Sequence, residues 1–149
     1  VNVLVQAVFG NKIYNGGRIW TEQMTAYTNL STSVLDAWTP QNSSSNFPRF
    51  TLADANLNSR ANSDRWLENG AYVRVKRLEI GYTLAESIAK RLNVGKIRAY
   101  LSGQNLFTFS KYKGYNPDLG NDGNPLKRGN DSGAYPLQRI VSLGLNVSF

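Results

Sequence analysis

Two of the side chains that most often carry catalysis or bind metals are missing from this sequence. Its 149 residues include no Cys and no His. Thiolate nucleophiles, disulfides, the commonest general base and every Ser–His or Cys–His triad are therefore excluded. Among the carboxylates, Asp54, Asp64 and Glu68 lie in one long polar stretch. Nothing in their spacing brings two of them across a glycosidic bond, so helix and turn capping is the favoured role. The segment Asp118-Leu-Gly-Asn-Asp122-Gly-Asn124 has the oxygen-rich makeup of a calcium loop, but Gly129 stands where an EF-hand requires its last Glu. A solvated Asx-rich turn is preferred there, and no metal or other cofactor is expected. Neither a P-loop nor a dinucleotide fingerprint occurs. The residues point away from an enzyme.

Two features could instead serve binding. Trp20, Trp38 and Trp66 are candidates for stacking on a sugar or anchoring a partner, with loop packing as the alternative. The net charge of +7 is concentrated between Arg74 and Arg98, where Arg74, Lys76, Arg77, Lys90, Arg91, Lys96 and Arg98 face only Glu79 and Glu86. No nucleic-acid-binding motif accompanies these cations, so no nucleic-acid partner is expected. Flanking strands and a short turn, they suit acidic lipid head groups better.

The elements that must position these residues are strands. Four segments alternate: about 1–9, 72–84, 96–109 and 139–149. The last is the most regular, with Val141, Leu143, Leu145, Val147 and Phe149 on one face and Ser142, Gly144, Asn146 and Ser148 on the other. In 72–84, Leu78, Ile80, Tyr82 and Leu84 share a parity with Arg74 and Lys76, which predicts that only the second half could meet lipid. The connections differ in kind. Residues 84–95 are short, with a capping-box pattern at Thr83-Leu-Ala-Glu86, an apolar helical set of Ile88, Ala89 and Leu92, and Gly95 as a stop. The other two connections are long, and the first has Trp20, Met24, Tyr27, Val34, Leu35 and Trp38 near helical spacing. A mean hydropathy of -0.39 does not oppose a membrane location, because membrane strands alternate and need only about 9–11 residues. Short and long connections in alternation fit an outer-membrane barrel. Val1-Asn2-Val3 opens strand-like with no charged leader, so either the protein is cytoplasmic or residues precede Val1. Four strands cannot close a barrel, and the sheet needs further strands from the same chain or from copies of it.

Several segments taken together resemble the C-terminal part of the SusC/RagA family of TonB-linked outer-membrane transporters. Leu35-Asp-Ala-Trp-Thr-Pro-Gln-Asn42 and then Phe47-Pro-Arg49 are similar to the family's Trp-Thr-Pro-x-Asn and Tyr/Phe-Pro-Arg segments. Ser63-Asp-Arg-Trp-Leu-Glu-Asn-Gly-Ala-Tyr-Val-Arg-Val-Lys76, Leu78–Leu84, Ser102-Gly-Gln-Asn-Leu-Phe-Thr108, Tyr112–Asp118, Tyr135-Pro and Gly144–Phe149 follow in the family's order. Asn116 departs from the Asp that many members carry before the proline. The resemblance implies an all-β fold, in which antiparallel strands form the last part of a 22-stranded transmembrane β-barrel with long extracellular loops. It implies a bacterial outer-membrane location and import of oligosaccharides or peptides. The implied partners are a SusD-like surface lipoprotein, outer-membrane lipids and the TonB complex, reached through an N-terminal part. The plug and TonB-contacting segment of the family have no counterpart here. It also implies that Val141, Leu143, Leu145, Val147 and Phe149 act as an assembly signal. The alternatives are a four-strand protomer of an oligomeric outer-membrane barrel and a soluble β-rich glycan-binding module.

Overall fold

The computed structural model describes residues 1–23, 29–51, 54–58, 62–119 and 125–149. In chain order the elements are β1 (Asn2–Val8), β2 (Lys12–Asn15), α1 (Gly16–Glu22), β3 (Leu67–Asn69), β4 (Tyr72–Thr83), α2 (Glu86–Arg91), β5 (Lys96–Ser110), β6 (Asn130–Asp131) and β7 (Ile140–Ser148), with three short 3-10 turns. They divide into two compact units.

The first unit, built from 1–9, 71–111 and 136–149, is a four-stranded sheet in the order β1-β4-β5-β7. Every neighbouring pair is antiparallel. Two shifts of register run across it, between Leu4 and Val5 against β4 and between Val75 and Arg77 against β5. Relative to β1, strand β4 has one extra residue at Lys76, and β5 has more around Asn105, whose φ is 52. Such bulges re-aim the side chains beyond them.

The shifts correct the parity expected for β4. Val5, Val75 and Phe107 lie in one cross-strand row, and Val3, Leu78, Gly103 and Val141 lie in another. Because Val3 and Val5 share a face of β1, Val75 and Leu78 share it too. Arg74 therefore leaves the face of Leu78, Ile80 and Tyr82 and joins Gln6 and Thr108 on the opposite one. It is only 2% exposed, and its Nε donates to Thr108 Oγ1 at 2.9 Å. Both halves of β4 are apolar on one side.

The short connection also differs from its sequence pattern. Thr83 stays in the sheet opposite Arg98, so it caps nothing, and Ala85 is the N-cap without a side-chain bond. The stop is Asn93 rather than Gly95. Asn93 has φ 54, its N–H donates to Lys90 O, and the Val94 N–H donates to Ala89 O. This is a Schellman ending with Asn in the left-handed position. Gly95 instead donates its N–H to Ser148 O.

The second unit, 10–70 with 112–135, holds a small sheet in the order β3-β2-β6 that the sequence pattern did not announce. Asn15 caps α1 by accepting from the Arg18 N–H at 3.2 Å. A Cβ on Gly16 would meet the Asp131 carbonyl oxygen at 2.8 Å, so β6 approaches the helix start only because that residue is glycine. No single helix joins Trp20 to Trp38 among the described residues: α1 ends at Glu22 and a separate 3-10 turn covers Thr32–Asp36. Met24 and Tyr27 lie outside the described residues.

In the first unit, Tyr100 and Gly144 are cross-strand partners, and a Cβ on Gly144 would overlap the Tyr100 ring. Aromatic rings cover glycines in this way to hold register. Gly144→Val should cost about 1–3 kcal/mol through overpacking. Adding Tyr100→Ala should recover part of that loss. Thermal unfolding by circular dichroism checks both, and equal losses from the single and double variants would refute the contact's role.

Candidate functional site

The sheet presents two chemically opposite faces. On one lie Val3, Val5, Val73, Val75, Leu78, Ile80, Tyr82, Leu101, Phe107, Phe109, Val141, Leu143, Leu145 and Val147, as the register requires. Most are largely exposed; Leu143 reaches 84%. A water-soluble monomer rarely shows so continuous an apolar patch. On the other face, Gln6 donates to the Tyr72 hydroxyl at 2.8 Å and Arg98 donates to Glu79 at 2.8 Å. Ser102, Tyr100, Ser142, Asn146 and Ser148 extend that polar side. The β4 strand has 12 residues. At about 3.3 Å per residue and a tilt of about 45°, such a strand rises roughly 28 Å, enough for a hydrocarbon core.

The second unit is organised around charge. Arg18 reaches Glu22 Oε2 and Glu68 Oε1, both at 2.7 Å, and Arg65 reaches Glu22 Oε2 at 3.3 Å. Ser33 donates to Glu22 as well. Burial opposes ionisation of Glu22, but the Arg18 hydrogen bond and charge, with help from Ser33 and Arg65, hold its carboxyl below the ordinary value of 4.5. The Glu22 hydrogen bond raises the Arg18 value, whereas burial lowers that of Arg65. The Arg65 guanidinium lies 4.1 Å from the Phe47 ring centroid and 4.7 Å from that of Trp66. These cation–aromatic contacts supply part of the stabilisation that a small apolar core cannot.

A second anchor joins Tyr112 to Asp131. The phenol donates to Asp131 Oδ2 at 2.5 Å, and Asp131 Oδ1 accepts from the N–H groups of Gly133 and Ala134. Burial and the Asp131 bond push the phenol's value up. Burial also works against the Asp131 carboxylate, yet the Tyr112 and backbone bonds keep it below its ordinary range.

The three tryptophans have different settings. Trp66 is fully buried and offers no face to a ligand; its area serves packing. Trp20 on α1 is 65% exposed, and Trp38 is half-buried with its backbone N–H donating to Phe47 O. These two retain surface for a ligand. Neither lines the cleft of about 490 Å³ in this unit, which is bounded by Arg18, Glu22, Asp36, Asn42, Phe47 and Arg65 among others. The Thr39-Pro-Gln-Asn42 turn closes through Asn42 N–H to Thr39 O at 3.0 Å, and the Asn42 amide reaches Asp36. Asp54 caps locally by accepting from the Asn58 N–H, and Glu68 is held by Arg18. Asn116 is buried in its own turn, with its amide bonded to the backbone of Asp118. Gly120–Asn124 lie outside the described residues, and with them most of the calcium-loop candidate. Among the described residues no cluster of three metal-ligating side chains occurs. The Arg18–Glu22–Glu68–Arg65 network was missed from sequence. Its one available signal was the four-residue spacing of Arg18 and Glu22.

No family model matches the chain. Among curated proteins, TonB-dependent receptor P3 of Formosa agariphila is 34% identical over 154 residues, covering 100% of this chain and 15% of that protein. TonB-dependent receptor SusC of Bacteroides thetaiotaomicron is 30% identical over 89 residues, covering 58% of this chain and 8% of SusC. Among solved structures, the RagAB peptide importer in its open-open state superposes with a TM-score of 0.80 at 27% identity, over 99% of this chain and 15% of that one. Its closed-closed state gives 0.77 at 26% identity. The chain thus spans about 15% of the length of the first of these relatives.

Removing the Glu22 carboxylate should strand the partly buried Arg65 guanidinium and leave Arg18 with Glu68 as its one remaining ion-pair partner among the described residues. Glu22→Ala is expected to destabilise the second unit by roughly 3 kcal/mol. Protease nicking within 10–70 should accelerate on the order of 100-fold. Because the Glu22 and Asp131 carboxyls are depressed, their contribution is complete above pH 4.5 and is lost as pH falls through the lower folded values. Acrylamide quenching of Trp66 should rise over that acid range. Nicking within twofold of the parent rate would show that the network does not hold the unit.

Proposed function

The chain belongs to the SusC/RagA-like TonB-dependent receptors, and from that membership we propose that its strands form part of the wall of an outer-membrane importer. One observation carries this reading: a four-stranded antiparallel sheet whose register sends most large apolar side chains to one exposed face and most polar ones to the other. In a barrel the apolar face meets lipid and the polar face meets the lumen. The cargo is an oligosaccharide or peptide. A SusD-like lipoprotein at the cell surface and the TonB complex complete the machine. The second unit, 10–70 with 112–135, is extracellular, where the exposed surfaces of Trp20 and Trp38 are available to cargo or lipoprotein. The β7 face of Val141, Leu143, Leu145 and Val147, ending in Phe149, is the strand by which the barrel is recognised for assembly. Its physical basis is strand addition, with backbone bonds at an open edge and alternate side chains setting register.

Uptake tests the function. Cells that lack the receptor carrying this chain should lose energy-dependent accumulation of a labelled oligosaccharide or peptide. Asn146→Arg should restore uptake, whereas Leu145→Arg, costing about 2–4 kcal/mol near the bilayer midplane, should not. Equal restoration by both would contradict the assignment of faces.

Topology is tested separately. If Phe149 ends on the periplasmic side, Ser44 is outside and Ser87 inside. With no native Cys in the chain, Ser44→Cys should label on intact cells and Ser87→Cys only after the outer membrane is opened. Labelling of Ser87→Cys alone on intact cells would reverse the orientation.

A further inference from the structure

The connection between β4 and β5 is more than a turn. In α2, Ala89 is buried and fixes the inward direction of the helix. At about 100° per residue, Ile88 and Leu92 fall together on one flank, Glu86 and Lys90 fall on the other, and Arg91 points away. Ile88 is 46% and Leu92 59% exposed, so the apolar flank has no cover within the unit. The cations are equally open. Lys90 has only the outlying Glu86, 3.8 Å away with both side chains in solvent, a pair of little worth. Arg91 and Lys96 have no carboxylate within ion-pair distance among the described residues.

This helix stands at the end of the sheet where the apolar face closes with Tyr82, Ile97 and Val147. Phe149 also ends there, almost entirely exposed. Aromatic rings at that height mark the interfacial level of a barrel. An apolar flank beside free cations, level with such rings, has the chemistry of a helix lying in a membrane interface.

We propose that α2 is an interfacial foot of the barrel wall. Ile88 and Leu92 enter the head-group and acyl-chain boundary of the adjacent phospholipid leaflet, and Lys90, Arg91 and Lys96 pair with anionic head groups. The inference rests on the lipid-facing reading of the sheet. It adds a ligand class, anionic phospholipid. The foot fixes the height of the β4–β5 hairpin in the bilayer and resists its sliding along the membrane normal.

The test uses the full-length receptor reconstituted in bilayers of phosphatidylethanolamine and phosphatidylglycerol. Single nitroxide labels are placed at Leu92→Cys and, as a control, at Leu145→Cys, and relaxation by oxygen and by a water-soluble nickel chelate is compared. The foot predicts that the Leu92 label is open to oxygen and shielded from nickel at interfacial depth. Lys90→Glu with Arg91→Glu, or bilayers without phosphatidylglycerol, should raise its nickel access roughly fivefold and leave Leu145 unchanged. A Leu92 label open to nickel, or shielded from both reagents by protein, overturns the foot while a lipid-exposed Leu145 label preserves the barrel reading. A Leu145 label open to nickel would remove the barrel reading itself. Nickel access at Leu92 that ignores both charge and lipid composition would overturn the head-group pairing.

Discussion

Everything proposed for this chain depends on one constraint: each long strand must send its apolar side chains to the same side of a sheet whose strands are not in simple register. A strict two-residue alternation cannot do this for β4, because Arg74 and Lys76 share a parity with Leu78 and Ile80. The extra residue at Lys76 resolves the conflict. It turns Val73 and Val75 toward the apolar side and Arg74 toward Thr108. A charge that would be costly in hydrocarbon is thereby kept on the polar face, hydrogen-bonded and stacked near the Tyr72 ring. The compensating irregularity around Asn105 keeps β5 aligned with β4 on both sides of the bulge.

The second unit solves a different problem. Among the described residues its fully buried apolar side chains are few, chiefly Ile13 and Trp66. Arginines flank Trp66, their charges are neutralised by Glu22 and Glu68, and the Tyr112–Asp131 bond ties down the far end of the small sheet. Such a network is demanding, since removal of one partner leaves another charge buried. It also lines a polar cleft, with Arg18, Glu22 and Arg65 among its walls.

The antiparallel all-β character was legible because its signal is local. Alternation in 139–149 reads directly as a strand, and β7 spans Ile140–Ser148. The order of the motifs from Trp38 to Phe149 carried the family. What stayed hidden was non-local. The bulge at Lys76 is defined only by two partner strands, and the four residues β2 contributes to the small sheet carry too short a pattern to detect. The Thr83 capping box failed because a residue that could cap was already committed to pairing with Arg98. At the other end of α2, Asn93 took the left-handed position that Gly95 had been expected to supply. Of the candidate site, the tryptophans were visible by type, but which of them retained surface was decided by packing against Arg65 and Arg18.

The most direct measurement of the central claim is a residue-by-residue accessibility scan along β4 in the membrane-embedded receptor. Single Cys labels from Val73 to Tyr82 would be probed with water-soluble and lipid-soluble reagents. The account predicts a break of phase at Lys76, with positions 73, 75, 78, 80 and 82 in lipid and 74, 77, 79 and 81 in the aqueous lumen. Unbroken alternation, with 74, 76, 78, 80 and 82 behaving alike, would contradict it.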